Sequence, residues 1–431
     1  MFRRSPRSNP FQTYIVRPFL NWLSPWLGID WWLMTVTIAL TVIAGLAIRS
    51  AQLNVGLIDW RQHWITAIIG LIFCFLIART RYQALVFGHW IIYGLSLASL
   101  IAVMVIGQTV NGAQSWIGVG GFNVQPSEFA KVSLILTLSA LLHKRTADSI
   151  PNILRAAAVA FVPWVFIALQ PDLGTAMVFG AIGMGMIYWA NANLGWLILM
   201  VSPLVSAVMF NVFFPGWIIW FGLIGAIAWF CLPWRWVGTV GAMFVNAGAG
   251  AGAGIFWGLL KDYQKARLTL FLNPEQDALG GGYHLIQSRI AIGSGQLWGQ
   301  GLYEGSQTQL NYVPEQHTDF IFSVIGEELG FVGAIAVMIL FWILCLRLIR
   351  IACKTEDNFG SLIAVGVLSM ILFQVLVNVG MTLGVAPITG IPLPWLSYGR
   401  SSLLTNFIAI GLVQAVANRT SRNSNNSVTG L

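Results

Sequence analysis

Four polar segments interrupt a chain that is otherwise almost continuously apolar, and they hold most of the residues able to do acid–base or ionic chemistry. In YVPEQHTDF (312–320), Glu315, His317 and Asp319 fall within one short stretch, directly before an apolar run. Carboxylates and an imidazole grouped this closely shift one another's proton affinity, and such a carboxylate suits a general base. The same spacing suits Thr318 or Asp319 as the N-cap of the following helix. The two readings are compatible, because a capped carboxylate is also rigidly held.

In QPSEFAK (125–131), Pro126 and Ser127 begin a helix, and Glu128 and Lys131 share one of its faces. A local ion pair that also complements the helix dipole accounts for them. So does a functional pair, because an ionisable group a turn inside an apolar helix usually marks a site. In QPDLGT (170–175), Asp172 precedes another apolar run, with Pro171 and Gly174 shaping the turn; an N-cap is the simpler explanation. The glycine turns of GGGYHLIQSRIAIGSG (280–295) enclose a re-entrant or interfacial helix at 283–293 and lack phosphate-loop spacing. His63, His89, His143, His284 and His317 are scattered, without HExxH spacing or a Ser-His-Asp order, which weakens any hydrolase reading. Cys74, Cys231, Cys345 and Cys353 suggest neither a disulfide framework nor a zinc site.

What must position these groups is a membrane-embedded bundle. The chain is 57% hydrophobic and 9% charged, with a mean hydropathy of +0.75, whereas soluble domains carry roughly 25% charged residues. Apolar runs occur at about 31–48, 64–79, 85–107, 127–143, 155–170, 174–191, 194–214, 216–233, 236–260, 320–348, 360–384 and 402–418. Their length fits membrane helices rather than barrel strands. The expected fold is an all-α polytopic membrane protein of about twelve transmembrane helices, spanning 31–418 as one domain between tails at 1–30 and 419–431.

With the N-terminus inside, 15 of the 23 Lys and Arg residues fall on the cytoplasmic side, including Arg3, Arg4, Arg7, Lys144, Arg145 and Arg155. Dispersed in this way, the net charge of +8 gives no reason to expect a nucleic-acid partner. Both termini are then cytoplasmic, and the 261–319 loop and the segments 111–131, 170–175 and 385–402 share the outer face. That asymmetry implies a polar cavity framed by irregular backbone that protein must shield from lipid. AGAGAGAG (247–254) reads as a close-packing helix face.

QPSEFAK, QPDLGTA, GGGYHLIQSRIAIGSG, PEQHTDFIFSVIGEELG and PLPWLSYGRSS, in that order over about 108–418, resemble the SEDS family of bacterial cell-wall proteins (RodA, FtsW, SpoVE). The wording around 271–295 is more similar to the RodA branch. The resemblance implies a peptidoglycan glycosyltransferase that polymerises lipid II on the outer face of the cytoplasmic membrane, beside a class B penicillin-binding protein. It implies Asp319 as the general base, Glu128 and Lys131 as a functional pair by a central cavity, and Trp116 as a family tryptophan. Lys131, Lys265, Arg267 and Arg400 are then candidates to stabilise the departing pyrophosphate, with Glu315, His317 and Asp172 nearby. A divalent cation (Mg or Mn) is a conceivable helper, but no residue set identifies one.

Three features depart from the family pattern. Ser115 stands where an arginine is common, and Arg400 where glycine is usual. Twelve runs also exceed the ten associated with the family, and the excess, an inserted helix pair, falls at about 194–235. Two other functions fit part of this pattern: a flippase for the same lipid, and a non-catalytic scaffold of a synthase complex. A flippase would need polar residues at mid-membrane and on both faces, whereas here they crowd one.

Overall fold

A computed structural model of the chain describes residues 28–53, 60–110, 113–119, 122–259, 265, 271, 274–277 and 282–429. In chain order its elements are α1 (Trp31–Gln52), α2 (Arg61–Ala78), α3 (Leu85–Ile106), β1 (Gln108–Val110), β2 (Ala113–Val119), β3 (Phe122–Val124), α4 (Pro126–Lys144), α5 (Ile150–Leu169), α6 (Leu173–Trp189), α7 (Leu194–Val212), α8 (Phe214–Cys231) and α9 (Arg235–Leu259). There follow α10 (Tyr283–Ser294), α11 (Ser306–Gln309), α12 (Ile321–Lys354), α13 (Asn358–Leu383) and α14 (Arg400–Thr429). Each of the twelve apolar runs is therefore a helix. Nine helices among the described residues are long and apolar enough to cross a membrane. Of the other three, α4 is interrupted by Glu128, Lys131 and Lys144, α6 is 17 residues long, and α9 is rich in glycine. The chain is an all-α polytopic membrane protein.

The starts and stops are local chemistry. Asp30, Asp172, Asn193 and Asp357 cap α1, α6, α7 and α13 through their side chains. Pro126 opens α4, and Gly384 closes α13 in the left-handed region, at φ 73°. Asp30 also ties three helices together at one end. Arg347 of α12 donates from Nε to its carboxylate at 3.1 Å, and Gln414 of α14 bonds its backbone N–H and C=O at 2.9 Å each.

Lipid is the solvent here, so burial separates central from peripheral helices rather than apolar from polar residues. The apolar window of α14 is 83% buried and that of α3 is 22%, with Phe87, Ile91 and Leu95 facing outward. Helices α4, α6, α13 and α14, with the inner faces of α1 and α12, form the core, and α2, α3 and α5 flank it.

Several readings of the sequence need correction. The 111–131 interruption is not all irregular: an antiparallel sheet of order β1-β2-β3 occupies part of it, pairing Gln108 with Trp116 and Ile117 with Val124. Short polar strands with turn residues between them were masked by the helical signal around them. The run 194–235 forms the helices α7 and α8, as the sequence suggests, and α9 packs on both. Buried Asn246 of α9 donates to Ser202 at 2.9 Å, and these three helices contact the rest through α6. The AGAGAGAG stretch is not a tight seam. A Cβ added at Gly248, Gly252 or Gly254 meets nothing within 4 Å, and only Gly250 of the four lies against another side chain, Phe210. Finally, α14 runs on to Thr429, since no glycine or proline stops it sooner.

Candidate active site

At the end of the bundle where α4 begins, β3 leads into Gln125 and Pro126, and the first turn of α4 presents Glu128. Lys131, one turn on, brings its Nζ to 2.8 Å from Glu128 Oε2, with the two side chains 1–2% exposed. That oxygen has no other protein hydrogen-bond partner among the described residues. The helical spacing makes the ion pair; the neighbouring helices α3, α6 and α13 make it a buried one.

Asp172 meets this pair from α6. Its Oδ1 accepts from the Thr175 N–H at 3.0 Å, which makes it the cap expected from QPDLGT. Its Oδ2 accepts from Gln125 Nε2 at 3.3 Å. Burial pushes the carboxyl above the ordinary aspartate range, the Thr175 bonds oppose this, Glu128 adds to it and Lys131 subtracts. Asp172 is thus electrically coupled to the α4 pair. Its neighbour Gly174 has no room for a side chain: a Cβ would lie 2.5 Å from the Thr389 carbonyl. This close approach docks the start of α6 on the 385–399 segment.

The same segment reaches Asp319. Asn378 of α13, fully buried, donates to the backbone carbonyls of Asp319 at 2.9 Å and Ile391 at 2.8 Å. Gly390, at φ 73°, lies against Asp319 Oδ2, which a Cβ there would approach to 3.4 Å. Tyr398 N–H donates to the His317 carbonyl at 2.9 Å, and the two rings lie 6.0 Å apart. Burial lowers the His317 pKa, against the pull of Glu315. Neither Thr318 nor Asp319 caps α12: the cap position is Phe320, without a side-chain bond, and Thr318 Oγ1 turns back to Glu315 at 3.2 Å. A helix-capping role therefore does not account for Asp319.

Arg400 is the first residue of α14, and Ser401 beside it accepts the Gln125 N–H at 3.1 Å, which closes the ring of segments. Asp319, Asp172, Glu128, Lys131, His317 and Arg400 thus lie on connected segments at one end. The N-termini of α4, α6, α12 and α14 converge there, and their dipoles favour an anion. Trp116 sits half-buried in β2, which packs on α3 and α4, to one side. Ser115 is buried, at 3% exposure, so an arginine there would have to push into the wall. Glu315 is exposed at φ 51°. Lys265 is half-buried in a segment otherwise outside the described residues, and Arg267 lies outside them. Among the described residues no group of three or more His, Cys, Asp or Glu could hold Mg or Mn.

The sequence reading gave no role to Glu327 and Glu328. Glu327, fully buried in the second turn of α12, accepts from Gln307 N–H at 2.7 Å, Thr308 N–H at 2.9 Å and Thr308 Oγ1 at 2.6 Å. Glu328 accepts from Ser50 of α1. Just beyond, Gly330 breaks the helix at φ 65° and lies against the backbone of Leu297, Trp298 and Gly299. The signal was present: adjacent glutamates followed closely by a glycine, inside an apolar helix, need buried partners. Glu327→Ala strands three donors and should cost roughly 2–4 kcal/mol. Its melting temperature in detergent should fall well below that of an Asp319→Asn control, and Glu327→Gln, which keeps an acceptor, should fall less.

The fold and this end together define a polytopic membrane protein that carries a carboxylate-rich site, fringed by cations, beneath one surface. The chain belongs to the FtsW/RodA/SpoVE family of cell cycle proteins, whose model matches residues 26–422. It is 36% identical to the peptidoglycan glycosyltransferase RodA of Treponema pallidum over 90% of this chain and 97% of that protein. It is 32% identical to the peptidoglycan glycosyltransferase MrdB of Escherichia coli K12, over 89% and 92%. Among solved structures it resembles a chain of a peptidoglycan synthase complex that coordinates polymerization and crosslinking, with a TM-score of 0.69, 27% identity and coverage of 92% and 99%.

Proposed function

We propose that the chain is a glycosyltransferase that polymerises lipid II into peptidoglycan strands on the outer face of the cytoplasmic membrane, for cell-wall elongation and cell shape. The observation behind this reading is the junction at 385–399, which joins Asp319 to the Asp172, Gln125, Glu128 and Lys131 cluster. The enzymes RodA and MrdB to which the chain is similar support it.

In this reading Asp319 accepts the proton of the acceptor sugar's 4-hydroxyl. The oxygen attacks the donor's anomeric carbon as the bond to the pyrophosphate breaks, and the pyrophosphate leaves with the electron pair. A single displacement inverts the anomeric centre, and pyrophosphate needs no proton to depart. Arg400 and the converging helix N-termini stabilise its charge, and Lys265 and Arg267 act from the long loop. Lys131, buried and paired, acts from inside the wall by fixing the field around Glu128 and Asp172. A class B penicillin-binding protein supplies the crosslinking step, in keeping with the complex to which the chain is similar.

The test is a polymerisation assay with purified protein and labelled lipid II. A ladder of glycan products is expected. Lipid II that crosses a vesicle bilayer without forming a ladder would instead indicate a flippase, and neither result would leave a scaffold.

The proposed orientation has twelve crossings and both termini in the cytoplasm. A cysteine introduced by Ser306→Cys should react with an impermeant thiol reagent in intact spheroplasts, and one introduced by Ser421→Cys should react only after lysis. The opposite pattern would move the site to the cytoplasmic face.

A further inference from the structure

At the opposite end of α4, the helix that carries Glu128 and Lys131, lies a second polar cavity. It is a half-open cleft of about 220 Å³ between the N-terminus of α3, the C-terminus of α4 and the N-terminus of α5. His89, Trp90, Lys144, Arg145, Asn152 and Arg155 line it. Among the described residues, no carboxylate lies within 4 Å of the charged atoms of Lys144, Arg145 or Arg155. Of the acidic groups nearby, Asp357 pairs with His143 at 3.8 Å and Tyr82 at 3.2 Å, and Asp148 accepts from the lining residue Asn152 at 3.4 Å. Three cations therefore converge on a concavity with a single carboxylate, Asp148, at its edge. The N-termini of α3 and α5 add positive dipole ends to the same place, and the C-terminus of α4 adds a negative one beside Lys144 and Arg145.

The surroundings are those of a lipid rather than of a soluble anion. Trp90, at the rim, is 53% exposed, as suits an indole at the headgroup level. Phe87, Ile91 and Leu95, spaced every four residues, form one outward apolar stripe on α3, each about two-thirds exposed or more. The stripe runs from the level of the cleft along the helix. A molecule with an anionic head and apolar tails satisfies both features at once; a free phosphate satisfies only the first.

We infer that this cleft binds the phosphate of an anionic phospholipid, with its acyl chains along the outer face of α3. Basic pockets between membrane helices hold such headgroups in general. The site lies at the far end of α4 from the proposed catalytic cluster, so a bound lipid would steady the helix on which that cluster is built.

The experiment is native mass spectrometry of delipidated full-length protein titrated with phosphatidylglycerol, with phosphatidylcholine as the neutral comparison. The wild type should retain phosphatidylglycerol in preference. Arg155→Ala should weaken retention roughly fivefold, and Lys144→Ala/Arg145→Ala/Arg155→Ala on the order of a hundredfold. Arg350→Ala, which removes a cation from the same end outside the cleft, should change nothing. Trp90→Ala should weaken retention without altering charge, and keeps the test alive if the triple variant does not fold. Equal retention of the two lipids would overturn the proposal, as would an Arg350→Ala loss equal to that of Arg155→Ala. Displacement of the lipid by millimolar inorganic phosphate would overturn it in favour of a soluble anion.

Discussion

Asp319→Asn is expected to abolish polymerisation of lipid II while leaving the protein folded. Asparagine keeps the size of the side chain and removes its ability to take a proton. The structure shows why the fold should tolerate the change. The carboxylate does not cap α12, whose cap position is Phe320. Two of the contacts that hold Asp319 in place are the bond from buried Asn378 to its backbone carbonyl and the close approach of Gly390, and neither of these two needs the charge. Losing a general base typically costs a factor of about 10²–10⁴, which would remove a visible glycan ladder. The melting temperature should stay close to that of the wild type. Near-normal ladders from Asp319→Asn would eliminate the base role, and the cluster around Asp172 would become the place to look.

The long helices and the local contacts of the candidate site were legible in the sequence, for a physical reason. Apolar runs long enough to cross a bilayer declare themselves without tertiary information, and each of the twelve is a helix. Glu128 and Lys131 were legible because helical spacing alone sets them face to face. Asp172 was legible as a cap for the same kind of local reason, and the structure adds its coupling to the pair on α4. The junction was not legible. The closeness of Gly174 to Thr389, and of Gly390 to Asp319, is a property of packing between segments far apart in the chain. Glu327 illustrates the same limit. Apart from Glu328 its near neighbours in sequence are apolar, and its partners, Gln307 and Thr308, lie on the short helix α11, well upstream in the chain. The N-cap reading of Asp319 failed because the helix starts one residue later than the spacing suggests, and the turn at Glu315, in the left-handed region, redirects Thr318.

The pair on α4 sets the second large expectation. Glu128 and Lys131 are buried together, and the oxygen facing Lys131 has no other protein partner among the described residues. Removing either one leaves its partner charged and enclosed, which typically costs about 3–5 kcal/mol. Glu128→Ala and Lys131→Ala should each lower the melting temperature sharply and each lose polymerisation. The double variant Glu128→Met/Lys131→Met removes both charges and fills the space, so its stability should recover most of the way; the double-mutant cycle should show strong coupling. Activity separates the roles. If the pair is only a strut, polymerisation recovers along with stability. If its field acts on Asp172 and on the anionic leaving group, the double variant is stable and still inactive, because neither Asp172 nor the leaving group then feels the Lys131 charge. The second pattern is expected, since Asp172 already responds to both members of the pair. Additive losses in the melting experiment would mean that the 2.8 Å contact contributes nothing to the fold. Recovered activity in the double variant would confine the chemistry to Asp319 and the outer cations.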